Sequence, residues 1–224
     1  MTDTADTPSP YAIARYAGMA HYQNANMALG PPQPDERRVV FFGDSITEFW
    51  PLLQPEFFTQ HGFIGRGIRS QVSHQLLLRF RQDVLALQPK VVVILAGVND
   101  IAQNSGPVPL EQTAGNLFSM AELALSHGIQ PVLCSVLPAI DFPWRRGLQP
   151  AESIQALNQL ICHYASQHQL IYLDYYSQMA DQDGGLKVPD YTSANDLVHP
   201  NKAGYQLMQQ LVLSAIQQAL AGAD

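Results

Sequence analysis

Three side chains far apart in the sequence carry the chemistry of nucleophilic catalysis: Ser45, Asp196 and His199. Ser45 follows Gly43 and Asp44, where an apolar run gives way to a helical pattern, so its hydroxyl projects from a helix N-terminus. The positive end of that helix favours an alkoxide or oxyanion nearby. Asp196 and His199 are three residues apart, which places them on one face of a helical turn. The carboxylate then holds the imidazole Nδ1–H and leaves Nε2 free to take a proton from serine. Pro200 follows and suits the first turn of a helix. Asn99, in Gly-Val-Asn-Asp, offers a side-chain amide to a developing oxyanion, and Asp100 braces that turn. Each residue also has a plainer role open to it. Ser45 or Asp44 can simply cap a helix. His199 can be a surface histidine beside a capping Asp196, and Asn99 an Asx-turn residue.

Gly65 to Ser70 reads GRGIRS and offers backbone donors from a glycine-rich bend. It is a poor dinucleotide fingerprint. Ser70 stands where the third glycine belongs, the motif follows the second strand, and no acidic residue ends the next strand at the proper distance. Trp50, Trp144, Arg145 and Arg146 are candidates to shape the side of the site that takes the alcohol, where rings and guanidinium groups suit a sugar face or an anion. The plainer alternative is a core Trp50 and solvated arginines. The other histidines, His21, His61, His74, His127, His163 and His168, all read as surface or structural, with lining the site a lesser alternative for His74 alone.

These residues need a scaffold that brings them to one place. Four runs, Val39–Phe42, Val91–Ala96, Val132–Leu137 and Leu170–Leu173, are continuously apolar, the mark of strands buried on both faces of a parallel sheet. A weaker strand ends near Phe63–Ile64. Helical stripes lie between them, such as Leu76, Phe80, Val84 and Leu87, or Ile154, Leu157, Ile161 and Tyr164. The alternation predicts a three-layer α/β/α sandwich with right-handed crossovers. In such sheets function gathers at the carboxyl ends of the strands, and every polar motif above follows a strand. Residues 1–36 read as an N-terminal extension, disordered to residue 10, with one packed helix from Tyr11 to Leu29 and a GPPQPDE loop; residues 37–224 read as one domain.

The formal net charge of -7 gives no electrostatic footprint for nucleic-acid binding. The sequence has no metal-ligand spacing, and Cys134 and Cys162 read as two buried free thiols. No apolar run is long enough to span a bilayer. The N-terminus lacks the pattern of a signal peptide, so the expected address is cytoplasmic as the chain stands, and periplasmic or secreted if a leader was removed.

The blocks GDSITEFW from Gly43, GRGIRSQ from Gly65, GVND from Gly97 and DLVHP from Asp196 together resemble the SGNH hydrolases, also called GDSL esterases and lipases. The resemblance is nearest to the branch of platelet-activating-factor-acetylhydrolase-like proteins and carbohydrate acetyl esterases. It implies a flavodoxin-like, five-stranded parallel sheet and a Ser45–His199–Asp196 triad. It implies an oxyanion hole from the Ser45 N–H, a second-block N–H and Asn99, with no cofactor. The branch carries a pattern like N-R-G-I-x-G in the second block. Here Gly65 and Ser70 occupy its ends, which leaves Ser70 or Gly67 as the second donor and predicts strain at Ser70 if the backbone there is one that only glycine adopts easily. The implied activity is hydrolysis of short-chain, chiefly acetyl, esters, with acetylated sugars as a candidate substrate class. A lysophospholipase or thioesterase with the same triad, or a non-catalytic carbohydrate- or nucleotide-binding domain of this fold, are the alternatives. The oligomeric state is not legible.

Overall fold

The computed structural model describes residues 11–222, so the disorder expected for residues 1–10 lies outside the described residues. The chain runs α1 (Ala12–Tyr16), α2 (Gln23–Leu29), β1 (Val39–Gly43), α3 (Ser45–Leu53), α4 (Pro55–His61), β2 (Ile64–Gly67) and α5 (Ser73–Asp83). It continues with β3 (Val91–Leu95), α6 (Val98–Ile101), α7 (Leu110–Ser126), β4 (Gln130–Cys134), α8 (Ala151–Gln167), β5 (Ile171–Leu173), α9 (Tyr176–Met179) and α10 (Lys202–Ala221). A 3₁₀ turn, Leu85–Leu87, joins α5 to β3.

The strands form one parallel sheet in the order β2-β1-β3-β4-β5. Strands β1 and β3 are buried along their whole length, which accounts for their unbroken apolar sequences. The order has a direct consequence. The chain steps one way from β1 to β2, then crosses back over β1 to β3 and continues outward. Right-handed crossovers therefore send α3 to one face and α5, α7 and α8 to the other. Helix α10 joins α3 on its face, where the Tyr205 hydroxyl donates to the Ile46 carbonyl at 2.7 Å. The direction reverses between β1 and β3, and at that point a crevice opens outside the carboxyl ends of the strands. Register pairs Gly43 with Gly67 and with Leu95, so the loops after β1, β2 and β3 leave the sheet at one level.

The N-terminal segment departs from the single helix expected. Two short helices are separated by a turn in which Gly18 takes φ +68°, a left-handed conformation that interrupts a helix. The segment lies against α5, with the Gln82 side chain donating to the Met19 carbonyl at 2.6 Å and that of Asn26 to Asp83 at 2.7 Å. Both cysteines are free, but only Cys134 is buried, where loss of hydration pushes its thiol pKa up; Cys162 is exposed on α8. Among the described residues no helix is long and apolar enough to cross a membrane.

Candidate active site

Ser45 is the first residue of α3, and Asp44 caps that helix by accepting the Ile46 N–H at 3.0 Å. This leaves the Ser45 hydroxyl free for another partner. Ser45 Oγ lies 2.9 Å from His199 Nε2, across 154 positions of sequence. On the other side of the ring, Nδ1 lies 2.8 Å from Asp196 Oδ1 and 3.1 Å from Oδ2. The carboxylate thus sets the tautomer, with the proton on Nδ1 and the lone pair of Nε2 towards serine.

The expected helical turn at Asp196 and His199 is not formed. Both lie in the loop before α10, with Leu197 at φ +67°, and Pro200 precedes the helix cap Asn201. Asp196 Oδ1 accepts the N–H of His199 at 2.8 Å and that of Val198 at 3.2 Å, so a side chain replaces the carbonyl acceptors of a helix. The Thr192 hydroxyl donates to the His199 carbonyl at 2.9 Å and fixes the same loop. Burial alone raises the pKa of Asp196, but the hydrogen bonds from the His199 ring and backbone outweigh it, and the net shift is downward. The carboxylate stays ionised and able to support an imidazolium.

Asn99 sits at the start of the loop after β3, in α6, and is buried. Its amide is oriented by a chain of side chains. The Trp144 indole, which can only donate, gives its N–H to Asn104 Oδ1 at 3.0 Å. Asn104 Nδ2 must then donate, and it does so to Asn99 Oδ1 at 2.8 Å. Asn99 Nδ2 therefore faces the other way, with one hydrogen on the Gln71 carbonyl at 3.0 Å and the second available to the cleft. Asp100 braces the bend as expected, by accepting from the Ser73 N–H at 2.9 Å and the Ser73 hydroxyl at 2.6 Å.

A cleft of about 640 Å³ opens over Ser45 and His199, and Ser70 and Asn99 are among its lining residues. Ser70 holds the left-handed φ of +63° that a glycine adopts without strain, and among the described residues its N–H has no hydrogen-bond partner. Gly67 does not line the cleft. It packs under α3 so closely that a Cβ would stand 2.2 Å from the Glu48 nitrogen, so its glycine serves packing.

The flanks of the cleft differ from those expected of the sequence. Trp50 is 1% exposed and packs on Phe41, Phe57 and Tyr205, away from the cleft. Phe49 lines the cleft instead, its ring 5.2 Å from that of His199. Helical geometry contains the signal: Phe49 is four residues from Ser45 and shares its face, whereas Trp50 is turned a further ~100° towards the sheet. Trp144 does line the cleft, with its ring 6.4 Å from His199. Arg145 does not; it is exposed and bonds Gln103. The guanidinium at the cleft is Arg69, held by Glu48 and lying 5.2 Å from the centre of the Phe49 ring. Tyr16, Gln75 and Ser105 also line it, and no local pattern marks them. His74 is not in the lining but is hydrogen-bonded to the Tyr16 hydroxyl. Among the described residues no group of three His, Cys, Asp or Glu side chains is placed to hold a metal ion.

Residues 41–207 match the model of the GDSL-like lipase/acylhydrolase family. The structure is similar to that of a GDSL-like lipase from Bacteroides thetaiotaomicron, with a TM-score of 0.88, 46% identity, and coverage of 92% of this chain and 100% of that one. A proposed acylhydrolase from Bacteroides fragilis gives a TM-score of 0.88 and 42% identity, over 92% of this chain and 98% of that one. An uncharacterised lipoprotein of Bacillus subtilis (strain 168), YqeF, is 33% identical over 81 residues, which span 35% of this chain and 33% of that protein. With five parallel strands in the SGNH hydrolase arrangement and a family match over most of its length, the chain belongs to the GDSL-like lipase/acylhydrolase family of ester hydrolases.

Proposed function

We propose that the chain is a serine esterase that cleaves short-chain esters through an acyl-enzyme. The observation that carries this reading is the hydrogen-bonded series Ser45 Oγ, His199 Nε2, His199 Nδ1 and Asp196 at 2.9 and 2.8 Å. His199 takes the Ser45 proton as Oγ adds to the ester carbonyl. Asp196 holds the ring and stabilises the imidazolium. The oxyanion is received by the N–H of Ser45, the N–H of Ser70 and Asn99 Nδ2. His199 then passes its proton to the leaving alcohol, which departs and leaves Ser45 acylated. Water, deprotonated by His199, attacks the acyl group, and collapse of the second oxyanion releases the carboxylic acid and restores Ser45.

The acyl group is acetyl or of similar size, and the alcohol is a carbohydrate hydroxyl. Trp144 supports the second part of this proposal. Its half-exposed indole stands beside His199, on the side where the alcohol leaves, and offers a flat apolar face to a sugar ring. The test is a panel of acetylated sugars and p-nitrophenyl esters with wild type and Ser45→Ala. Hydrolysis by wild type alone supports the reading; equal rates for the two proteins refute it.

A further inference from the structure

The family match begins at residue 41, yet one wall of the cleft comes from before it. Tyr16, the last residue of α1, lines the cleft together with Ser45 and Asn99. Its hydroxyl is hydrogen-bonded to His74 Nε2 and donates to Ser105 Oγ at 3.3 Å. Its carbonyl receives the Gln75 side-chain amide at 2.8 Å, and the next carbonyl, of Ala17, receives that of Gln71 at 2.8 Å. Tyr22, six residues on, donates its hydroxyl to the Gly67 carbonyl. The segment is thus fastened, at Tyr16, Ala17 and Tyr22, to α5, the loop and the end of β2 that flank Ser70, and Tyr16 is a fixed wall.

The geometry of acyl transfer says which part of a substrate meets this wall. Around the attacked carbon, the leaving oxygen must lie near His199 Nε2, which protonates it, and the oxyanion must lie among the N–H donors. The acyl substituent takes the remaining direction, away from His199. Trp144 and Tyr16 divide the rim accordingly. Trp144 bonds Asn104 and stands next to His199; Tyr16 bonds Ser105, the following residue, and makes no ring contact with His199 among the described residues. Resting on the esterase reading above, we propose that Tyr16 closes the acyl end of the cleft and sets the upper limit on acyl length. A side chain from outside the matched region thereby acts as a specificity determinant for the chemistry within it.

Tyr16 is 44% exposed, so its truncation leaves the core intact. The experiment compares kcat/KM for p-nitrophenyl acetate, butyrate, hexanoate and octanoate in wild type, Tyr16→Ala and Tyr16→Phe, with thermal unfolding of each protein. Opening the wall admits methylenes to apolar surroundings, so the hexanoate-to-acetate ratio in Tyr16→Ala rises about tenfold or more. Tyr16→Phe keeps the ring and stays near the wild-type ratio. A Tyr16→Ala ratio equal to that of wild type, or an equal fall on all four esters, overturns the proposal while the esterase reading stands. Absence of Ser45-dependent hydrolysis of any of the esters by wild type overturns both.

Discussion

Asn104 Nδ2 donates to Asn99 Oδ1 at 2.8 Å, and this bond, with that from Asn99 Nδ2 to the Gln71 carbonyl, sets which end of the Asn99 amide faces the cleft. Removing one oxyanion donor lowers turnover by roughly 10²–10³, which is the expected effect of Asn99→Ala. Asn104→Ala leaves the donor present but held by the Gln71 carbonyl alone, and lowers kcat by less. Asn104→Asp does more harm than Asn104→Ala. Its carboxylate still accepts from Trp144 but presents an acceptor to Asn99 Oδ1, so the Asn99 amide turns its NH₂ group away from the cleft. Steady-state kinetics on p-nitrophenyl acetate check the order. The expectation is a fall in kcat with KM changed much less, Asn104→Asp being the lower of the two.

Ser70 carries a backbone cost that a glycine would not. A left-handed conformation costs a residue with a Cβ about 1–2 kcal/mol, and glycine gives back about 0.5–1 kcal/mol of this in chain entropy. With φ at +63°, Ser70→Gly is therefore neutral to stabilising, by up to about 1.5 kcal/mol. The donor proposed at this position is the main-chain N–H, so activity is retained. Urea unfolding and esterase assays check both halves. A destabilised Ser70→Gly protein would contradict the strain argument.

Asp44 gives a pH dependence of stability. Burial is the largest influence on its carboxyl and raises its pKa from the ordinary 3.8 to about 7, against the lowering effects of the Ile46 N–H and of His199. Its Oδ2 has no partner among the described residues. The folded state thus prefers the neutral acid. That preference counts fully below pH 3.8 and is lost as pH rises to about 7, because the unfolded chain releases the proton first. The amide introduced by Asp44→Asn cannot ionise. The urea midpoint of Asp44→Asn relative to wild type should therefore climb across that window and level off above it. A difference independent of pH would contradict the assignment.

Much of this site is legible in the sequence because its parts sit where elements end. The apolar runs at Val39–Phe42 and Val91–Ala96 declare buried parallel strands, and Ser45 and Asn99 follow them directly. The Asp196–His199 pairing is also legible, although the helix assumed to create it is absent, because hydrogen bonds from the His199 ring and main chain to one carboxylate hold the pair together. A cleft-facing Trp50 conflicts with helix phase; the period from Ser45 points to Phe49. Tyr16 is different in kind. Its place depends on the Gln71, Gln75 and Ser105 contacts, all formed across more than fifty positions, and nothing local to Tyr16 encodes them. Arg69 likewise reaches the cleft through Glu48, twenty-one positions away.

Covalent labelling tests the triad most directly. A fluorophosphonate reacts with a serine only where a base activates the hydroxyl and donors receive the phosphonyl oxygen, so labelling reads the nucleophile, the base and the oxyanion site together. One adduct per chain is expected, mapped by mass spectrometry to Ser45, absent in Ser45→Ala and strongly slowed in His199→Ala. An unlabelled wild-type protein, or an adduct on another residue that persists in Ser45→Ala, would contradict the triad.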